Sequence, residues 1–155
     1  MKNSLLIDVG VLAVLIVIGA GGYWLSPLLL PKADVVANPD PGCDLHRQAC
    51  GATLPAGGKI QIAITPQPIP MMQPLTIEVR LAGLETQRVA VDLAGVGMSM
   101  GYNRPELTLA APGRFVGNTS LPVCITGSMT WQATILLETA RQRISIPFRF
   151  TSLPH

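Results

Sequence analysis

The sequence predicts an all-β domain of about seven antiparallel strands carried by one transmembrane helix. Residues 9–30 contain no charged side chain, residues 31–58 are rich in Pro, Gly and Ala without periodicity, and from Lys59 onward apolar residues recur with a period of two. A period of two is typical of strands buried on one face. We therefore expect an anchor at 1–30, a linker at 31–58 and a β domain at 59–155.

The N-terminal segment is predicted to cross the membrane once. At roughly 1.5 Å per residue, a helix from about residue 5 to 25 spans a hydrocarbon core of about 30 Å. Tyr23 and Trp24 stand where aromatic side chains mark an interface, and Lys2 favours a cytoplasmic N-terminus. This predicts a single-pass protein of the inner membrane with its domain in the periplasm. The alternative is a signal peptide cleaved before Asn38, but the apolar stretch exceeds the roughly 7–15 residues typical of one.

The predicted linker contains two of the three cysteines. Cys43 and Cys50 are close in sequence, and in an oxidising compartment such a pair favours a small disulfide that closes a loop. The alternative is a metal or redox pair with His46 between the cysteines. Their spacing matches neither the CxxC redox motif nor the usual zinc spacings.

The β domain is predicted from clean alternation between turn signals. The predicted strands cover residues 60–64, 75–81, 89–93, 107–109, 115–120, 131–137 and 144–150. Short strands at this spacing are typical of an immunoglobulin-like β-sandwich, and a small barrel is the alternative. Pro147 indicates an edge position for the last strand, because proline donates no ladder hydrogen bond.

Composition argues against several classes of function. The net charge is +2 and the 11 basic residues are spread singly, so no nucleic-acid footprint is visible. The only histidines are His46 and His155, too few for most zinc enzymes and for a nucleophile that needs a positioned base. No phosphate loop or dinucleotide fingerprint is present. We do not expect an enzyme.

Four sulfur side chains, Met98, Met100, Cys124 and Met129, fall within 32 residues. Thioethers and thiolates are soft donors that select Cu(I), so the set is a candidate copper site. Met98 and Met100 share a side if their stretch is extended, although methionine also fills core gaps. Met129 is in phase with Trp131, which favours the core. With the other cysteines paired, Cys124 is buried and inert, joined to another chain, or a soft ligand.

Two further groups are candidate contacts with a partner. Tyr102, Asn103 and Arg104 follow the methionine pair and offer polar side chains that frame a site or touch another protein. Met71 and Met72 lie in a Pro-flanked connection, where we expect them to be exposed or half-exposed. An ordinary surface turn explains the first group equally well, and a hydrophobic contact with the membrane or a partner explains the second.

The order of several features carries a family resemblance. They are the anchor, Met98-Ser-Met-Gly101, a Pro-Gly-Arg-Phe turn at 112–115, Leu121-Pro122 and Gly127-x-x-x-Trp131-x-Ala133. This order resembles the FixH and YtkA-like group of membrane-anchored extracytoplasmic sandwiches over about residues 55–152. The resemblance implies an accessory role in assembly of a cbb-type haem–copper oxidase, and some relatives look like copper-handling proteins. Cys124 and Met129 have no counterpart in the pattern.

Two hypotheses follow. In the first, the domain binds Cu(I) through Met98, Met100 and Cys124 and supplies or buffers it for a respiratory oxidase or an export route. In the second, the domain binds no metal and holds an oxidase or another membrane complex during assembly. Residues 101–105 and the Met71-Met72 pair are then its contact surface.

Overall fold

The computed structural model of the protein describes residues 2–29, 35–54, 57–99, 101–122, 128–140 and 142–152. The chain divides into two compact units, Met1–Lys32 and Ala33–His155. The first contains one helix, α1 (Lys2–Leu29). Within the described part of the chain, no helix combines the length and the apolar character that crossing a bilayer requires.

The second unit is a mixed β-sheet. Its described residues form the strands β1 (Val35–Val36), β2 (Cys50–Thr53), β3 (Lys59–Thr65), β4 (Leu75–Ala82), β5 (Arg88–Gly95), β6 (Glu106–Ala111), β7 (Arg114–Thr119), β8 (Thr130–Glu138) and β9 (Arg143–Thr151). They are ordered β1-β9-β8-β5-β6-β7-β4-β3-β2. Only the β1 to β9 pair is parallel among these strands. The predicted all-β architecture is confirmed, and the seven predicted strands correspond to β3 through β9.

Alternation along β3, β4, β8 and β9 sets which face of the sheet is buried. In β3, Ile60, Ile62 and Ile64 are buried, while Lys59 before them and Gln61 between the first two are exposed. The same pattern runs through β8, where every second residue from Trp131 is buried. Since a slip of one residue would turn each apolar set to solvent, burial fixes the register of these strands.

β6 joins the two halves of the sheet. Glu106 and Leu107 pair with β5, whereas Thr108 and Leu109 pair with β7. The register with β7 shifts between Leu109 and Ala111, an irregularity of the kind that bends a strand. Apolar side chains from both halves belong to one buried cluster. The sheet therefore curls around a single core.

The predicted linker at 31–58 contributes to the sheet and the core in its described residues. It supplies β1 and β2, and Leu45 and Leu54 within it are buried. The predicted disulfide between Cys43 and Cys50 is present, with the two Cα atoms 5.5 Å apart. These strands escape a periodicity search because β1 has two residues and β2 is composed of small ones.

Candidate functional site

Three connections meet at one end of the β unit. Because neighbouring strands are antiparallel from β9 to β2, the ends of β3, β5 and β7 lie beside the starts of β4, β6 and β8. The connections between these strands are residues 66–74, 96–105 and 120–129. We call their described residues the loop end.

Hydrogen bonds hold the connections of the loop end together. The Met72 N–H donates to the Leu121 carbonyl over 2.9 Å. The Asn103 amide nitrogen donates to the Ser120 carbonyl over 2.9 Å, and its amide oxygen accepts from the Thr119 hydroxyl over 2.8 Å. The three connections therefore form one linked surface rather than three separate loops, and Asn103 has a structural part in it.

Of the four predicted sulfur ligands, the structure describes two. Met98 follows β5 and is 46% exposed, whereas Met129 is 7% exposed. The backbone of Met129 is fixed by Ser152, whose N–H donates to the Met129 carbonyl over 2.7 Å. Met100 and Cys124 lie outside the described residues. Met129 thus belongs to the core, as its phase with the buried residues of β8 predicts.

The Met71-Met72 pair divides between core and surface. Met71 is 4% exposed, in contrast to the exposure we expect from the sequence, and Met72 is 69% exposed. Met72 has a φ of 58°, in the left-handed region that residues with a side chain rarely adopt. The chain bends at this residue, so the two methionine side chains point in different directions. An extended connection, which the sequence suggests, would leave both exposed.

Tyr102 and Arg104 form an exposed polar pair at the loop end. The Arg104 guanidinium carbon lies 5.2 Å from the centroid of the Tyr102 ring, a cation–π distance. Arg104 Nε also donates to Asp92 Oδ1 over 3.0 Å. This hydrogen bond raises the pKa of Arg104 against the opposing effect of desolvation. Tyr102 is 81% exposed, so its aromatic ring faces solvent while it contacts Arg104.

His46 has a role that the sequence does not reveal. Its Nδ1 accepts from the Ile69 N–H over 3.1 Å, and its Nε2 lies 2.6 Å from the Thr151 carbonyl. These partners assign the Nε2–H tautomer, because the carbonyl needs a donor and the N–H needs an acceptor. The ring also packs edge-on against Phe150, with centroids 5.9 Å apart.

This geometry ties the disulfide loop to the loop end. Both nitrogens of His46 are engaged and both neighbouring cysteines are bonded to each other, so a metal or redox centre at Cys43, His46 and Cys50 is not formed. Within the described residues, no three His, Cys, Asp or Glu side chains are grouped as metal ligands. Soft thioethers and an exposed aromatic ring with an adjacent guanidinium are what the loop end offers chemically.

No protein-family model matches the chain, and no curated protein matches it. Among solved structures, the chain is similar to a DUF4785 family protein from Legionella pneumophila, at 12% identity and a TM-score of 0.41. The match covers 62% of this chain and 28% of that structure. The chain thus spans less than a third of the length of that protein.

Proposed function

We propose that the protein is an extracytoplasmic accessory domain that binds Cu(I) through sulfur ligands at its loop end. One observation carries the proposal. Apart from Met1, every methionine of the chain falls in the sequence of the three connections at this end, together with Cys124. These residues are Met71, Met72, Met98, Met100, Cys124 and Met129. Core packing accounts for Met71 and Met129, but it gives no reason for the exposed Met72 and Met98.

Exposure distinguishes the described members of this set. Met98 and Met72 are accessible to an ion from solvent, whereas Met129 would have to leave the core. Met100 is adjacent to Gly101, and Cys124 follows Pro122 by two residues. Both residues lie outside the described part of the chain, within the sequence of two of the three connections. We assign the site to Met98, Met100 and Cys124, because Met98 and Met100 are two residues apart and Cys124 is the cysteine outside the disulfide.

The proposed location rests on three features. The disulfide supports an oxidising compartment, because cytosolic thiols are kept reduced. The uncharged stretch 9–30 supports an inner-membrane anchor with the domain in the periplasm. The curl of the sheet around one core supports an immunoglobulin-like sandwich, in keeping with the resemblance to the FixH and YtkA-like group. Reporter fusions at both termini, with carbonate extraction of membranes, test the topology and the anchor.

Competition for Cu(I) tests the proposal. The full chain in neutral detergent competes with a chromophoric chelator, with ascorbate as the reductant because it leaves the disulfide intact. We expect the wild-type chain to remove one Cu(I) per chain from the chelator. The M98L/M100L/C124S variant should leave the Cu(I) bound to the chelator. Leucine preserves the volume of methionine, so M129L is the matched control and keeps wild-type affinity. A triple variant that competes as well as the wild type contradicts the site.

A second function is favoured by the exposure of large side chains at the same end. Tyr102, Met72, Met98 and Val96 are 81%, 69%, 46% and 41% exposed. Tyrosine, methionine and arginine are enriched at protein interfaces. This surface suits an interaction module that holds a haem–copper oxidase or another membrane complex.

Co-purification from membranes separates the two functions. We expect Y102A with M72A to release the partner if the contact is metal-free, whereas L109A, which removes a 64% exposed leucine from β6, does not. A complex that instead dissociates only when the sulfur ligands are replaced assigns the contact to copper.

A further inference from the structure

A groove on the described surface lies away from the loop end and has no part in the function proposed above. It has a volume of about 560 Å³ and lies on the solvent face of β2, β3, β4 and β7. Its lining includes Lys59 at the start of β3, Ala82 at the end of β4 and Arg114 at the start of β7. These positions are at the end of the sheet opposite the loop end.

Strand register aligns the groove residues in two rows. In the first, Gly51 pairs with Gln61, Gln61 with Arg80, and Arg80 with Arg114. Strands are about 4.8 Å apart, so this row extends roughly 14 Å across the sheet. In the second row, Lys59 stands between Thr53 and Ala82. Long polar side chains therefore stand beside small ones, which creates the depression.

Two glycines allow its borders to approach closely. A Cβ on Gly51 would lie 2.6 Å from Asp40 Oδ2, and a Cβ on Gly113 would lie 2.6 Å from the Leu81 carbonyl oxygen. The Asp40 N–H donates to the Gly51 carbonyl over 2.8 Å. The Asp40 carboxylate thus lies over β2 at one border, and the turn at Gly113 forms the other.

The three cations Arg80, Arg114 and Lys59 outnumber the carboxylates of Asp40 and Glu78 in and beside the groove. Glu78 Oε1 accepts from Arg80 Nε over 2.5 Å, and Glu78 Oε2 accepts from Arg114 Nε and Nη2 over 2.9 and 2.6 Å. One carboxylate thus orders two guanidinium groups before a ligand arrives, which lowers the entropy cost of binding. Lys59 adds a third cation with no partner among the described residues.

We propose that this groove binds a phosphate ester that carries hydroxyl groups. The remaining guanidinium N–H groups of Arg80 and Arg114, with the Lys59 ammonium, receive the phosphate, since arginine matches phosphate oxygens in a bidentate manner. Gln61 stands in the first row and Asp40 lies over Gly51 at the end of that row, and both accept from the hydroxyl groups. The same chemistry occurs in free glycerol phosphate and in a phosphoglycerol lipid headgroup.

Arginine Nε–Hε signals of the full chain test the proposal by NMR. The chain is kept in neutral-detergent micelles at low salt and titrated with sn-glycerol 3-phosphate in one arm and with short-chain phosphatidylglycerol in the other. We expect saturable shifts of the Arg80 and Arg114 signals. Saturation in the first arm identifies a soluble ester, and saturation only in the second identifies a lipid headgroup.

Substitutions decide whether the groove is the site. R80Q and K59Q weaken binding about tenfold each, since each removes a charged hydrogen-bond donor. Lys59 is exposed and has no partner among the described residues, so K59Q leaves the fold intact. R149Q removes an exposed arginine from β9 and is the matched control. The proposal is overturned if neither probe gives saturable shifts, or if R149Q weakens binding as much as R80Q.

Discussion

At the scale of single residues, Gly113 shows two separate reasons for a glycine. Its φ is +69°, which disfavours a side chain, and a Cβ there would also overlap the Leu81 carbonyl oxygen at 2.6 Å. The Leu81 N–H donates to the Gly113 carbonyl over 2.7 Å, so the turn cannot move away without losing a hydrogen bond. Gly42 shares the positive φ, at +77°, but has open space where its Cβ would be.

This pair of glycines separates backbone strain from steric overlap. We expect G42A to lower the free energy of unfolding by about 1 kcal/mol and G113A by at least about 2 kcal/mol. Urea unfolding of the two variants measures the difference. Equal losses in the two variants would show that overlap with Leu81 has no cost.

Glu78 makes the stability of the domain depend on pH. Its hydrogen bond to Arg114, aided by Arg80 and opposed by desolvation, lowers the pKa of the Glu78 carboxyl below its usual value of 4.5. A lowered folded-state pKa stabilises the fold above the unfolded-state value, and this contribution is lost as pH falls through the folded-state pKa. Exposure of both arginines to solvent screens the interaction, so the effect is small.

E78Q tests this dependence. We expect the variant to be less stable than the wild type at neutral pH and the difference to shrink as pH falls below 4.5. E138Q is the control, because Glu138 Oε2 lies 4.0 Å from Arg88 Nη1, a longer separation than that between Glu78 and Arg114. A difference for E78Q that stays constant from neutral to acid pH would contradict the role of the carboxylate charge.

At the scale of elements, the disulfide loop connects two segments that are distant in sequence. Cys43 and Cys50 close it, and His46 within it contacts the backbone at Ile69 and Thr151. The bond therefore orders the histidine, and the histidine orders the connection that carries Met71 and Met72.

A double-mutant cycle tests the energetic coupling between the disulfide and His46. For a sequence separation of 7, C43S/C50S should cost about 2.5 kcal/mol in unfolding free energy. H46A should cost about 2 kcal/mol, since it removes two hydrogen bonds. In the C43S/C50S background we expect the cost of H46A to fall by at least about 0.5 kcal/mol. R47A, at an exposed neighbouring position, serves as the control; additive losses would contradict the coupling.

The elements also show where sequence reasoning succeeds and fails. Alternation of apolar residues predicts β3, β4, β8 and β9, where buried residues recur with a period of two. β6 and β7 bury one residue each, so their prediction depends more on the turn residues between the strands. β2 is four residues of Cys, Gly, Ala and Thr, whose pattern is too short and too weakly apolar to detect. The contacts of His46 have no local signal, because its partners lie 23 and 105 residues away.

At the scale of the whole molecule, the position of the loop end follows from strand order, whereas its detail does not. Consecutive strands from β2 to β9 run in opposite directions, so every second connection lies at the same end of the sheet. The three connections whose sequences contain the sulfur residues are therefore at one end. The burial of Met71 beside exposed Met72 depends on a left-handed backbone at one residue, which no period predicts. The polar groove depends on register across four strands, and register is a long-range property.

The shared core predicts that the β unit unfolds as one. β6 pairs with both halves of the sheet, and side chains from both belong to one apolar cluster. Small domains with a single core usually unfold in one transition. We expect pulse-labelling hydrogen exchange in increasing urea to show loss of protection in β3 and β8 at the same midpoint. Two separate midpoints would contradict a single cooperative unit.

The backbone groups on the outer edge of β9 affect whether copies of the domain can pair with one another at high concentration. Ser145 and Thr151 direct their carbonyls to this side, where Ala37 N–H and His46 Nε2 reach them. Pro147 has the same parity and lacks an N–H, so the strand offers few free groups to a neighbouring copy. An open strand edge is a template for intermolecular pairing. His46 and the two residues of β1 thereby protect against aggregation, and the domain should remain monodisperse at high concentration.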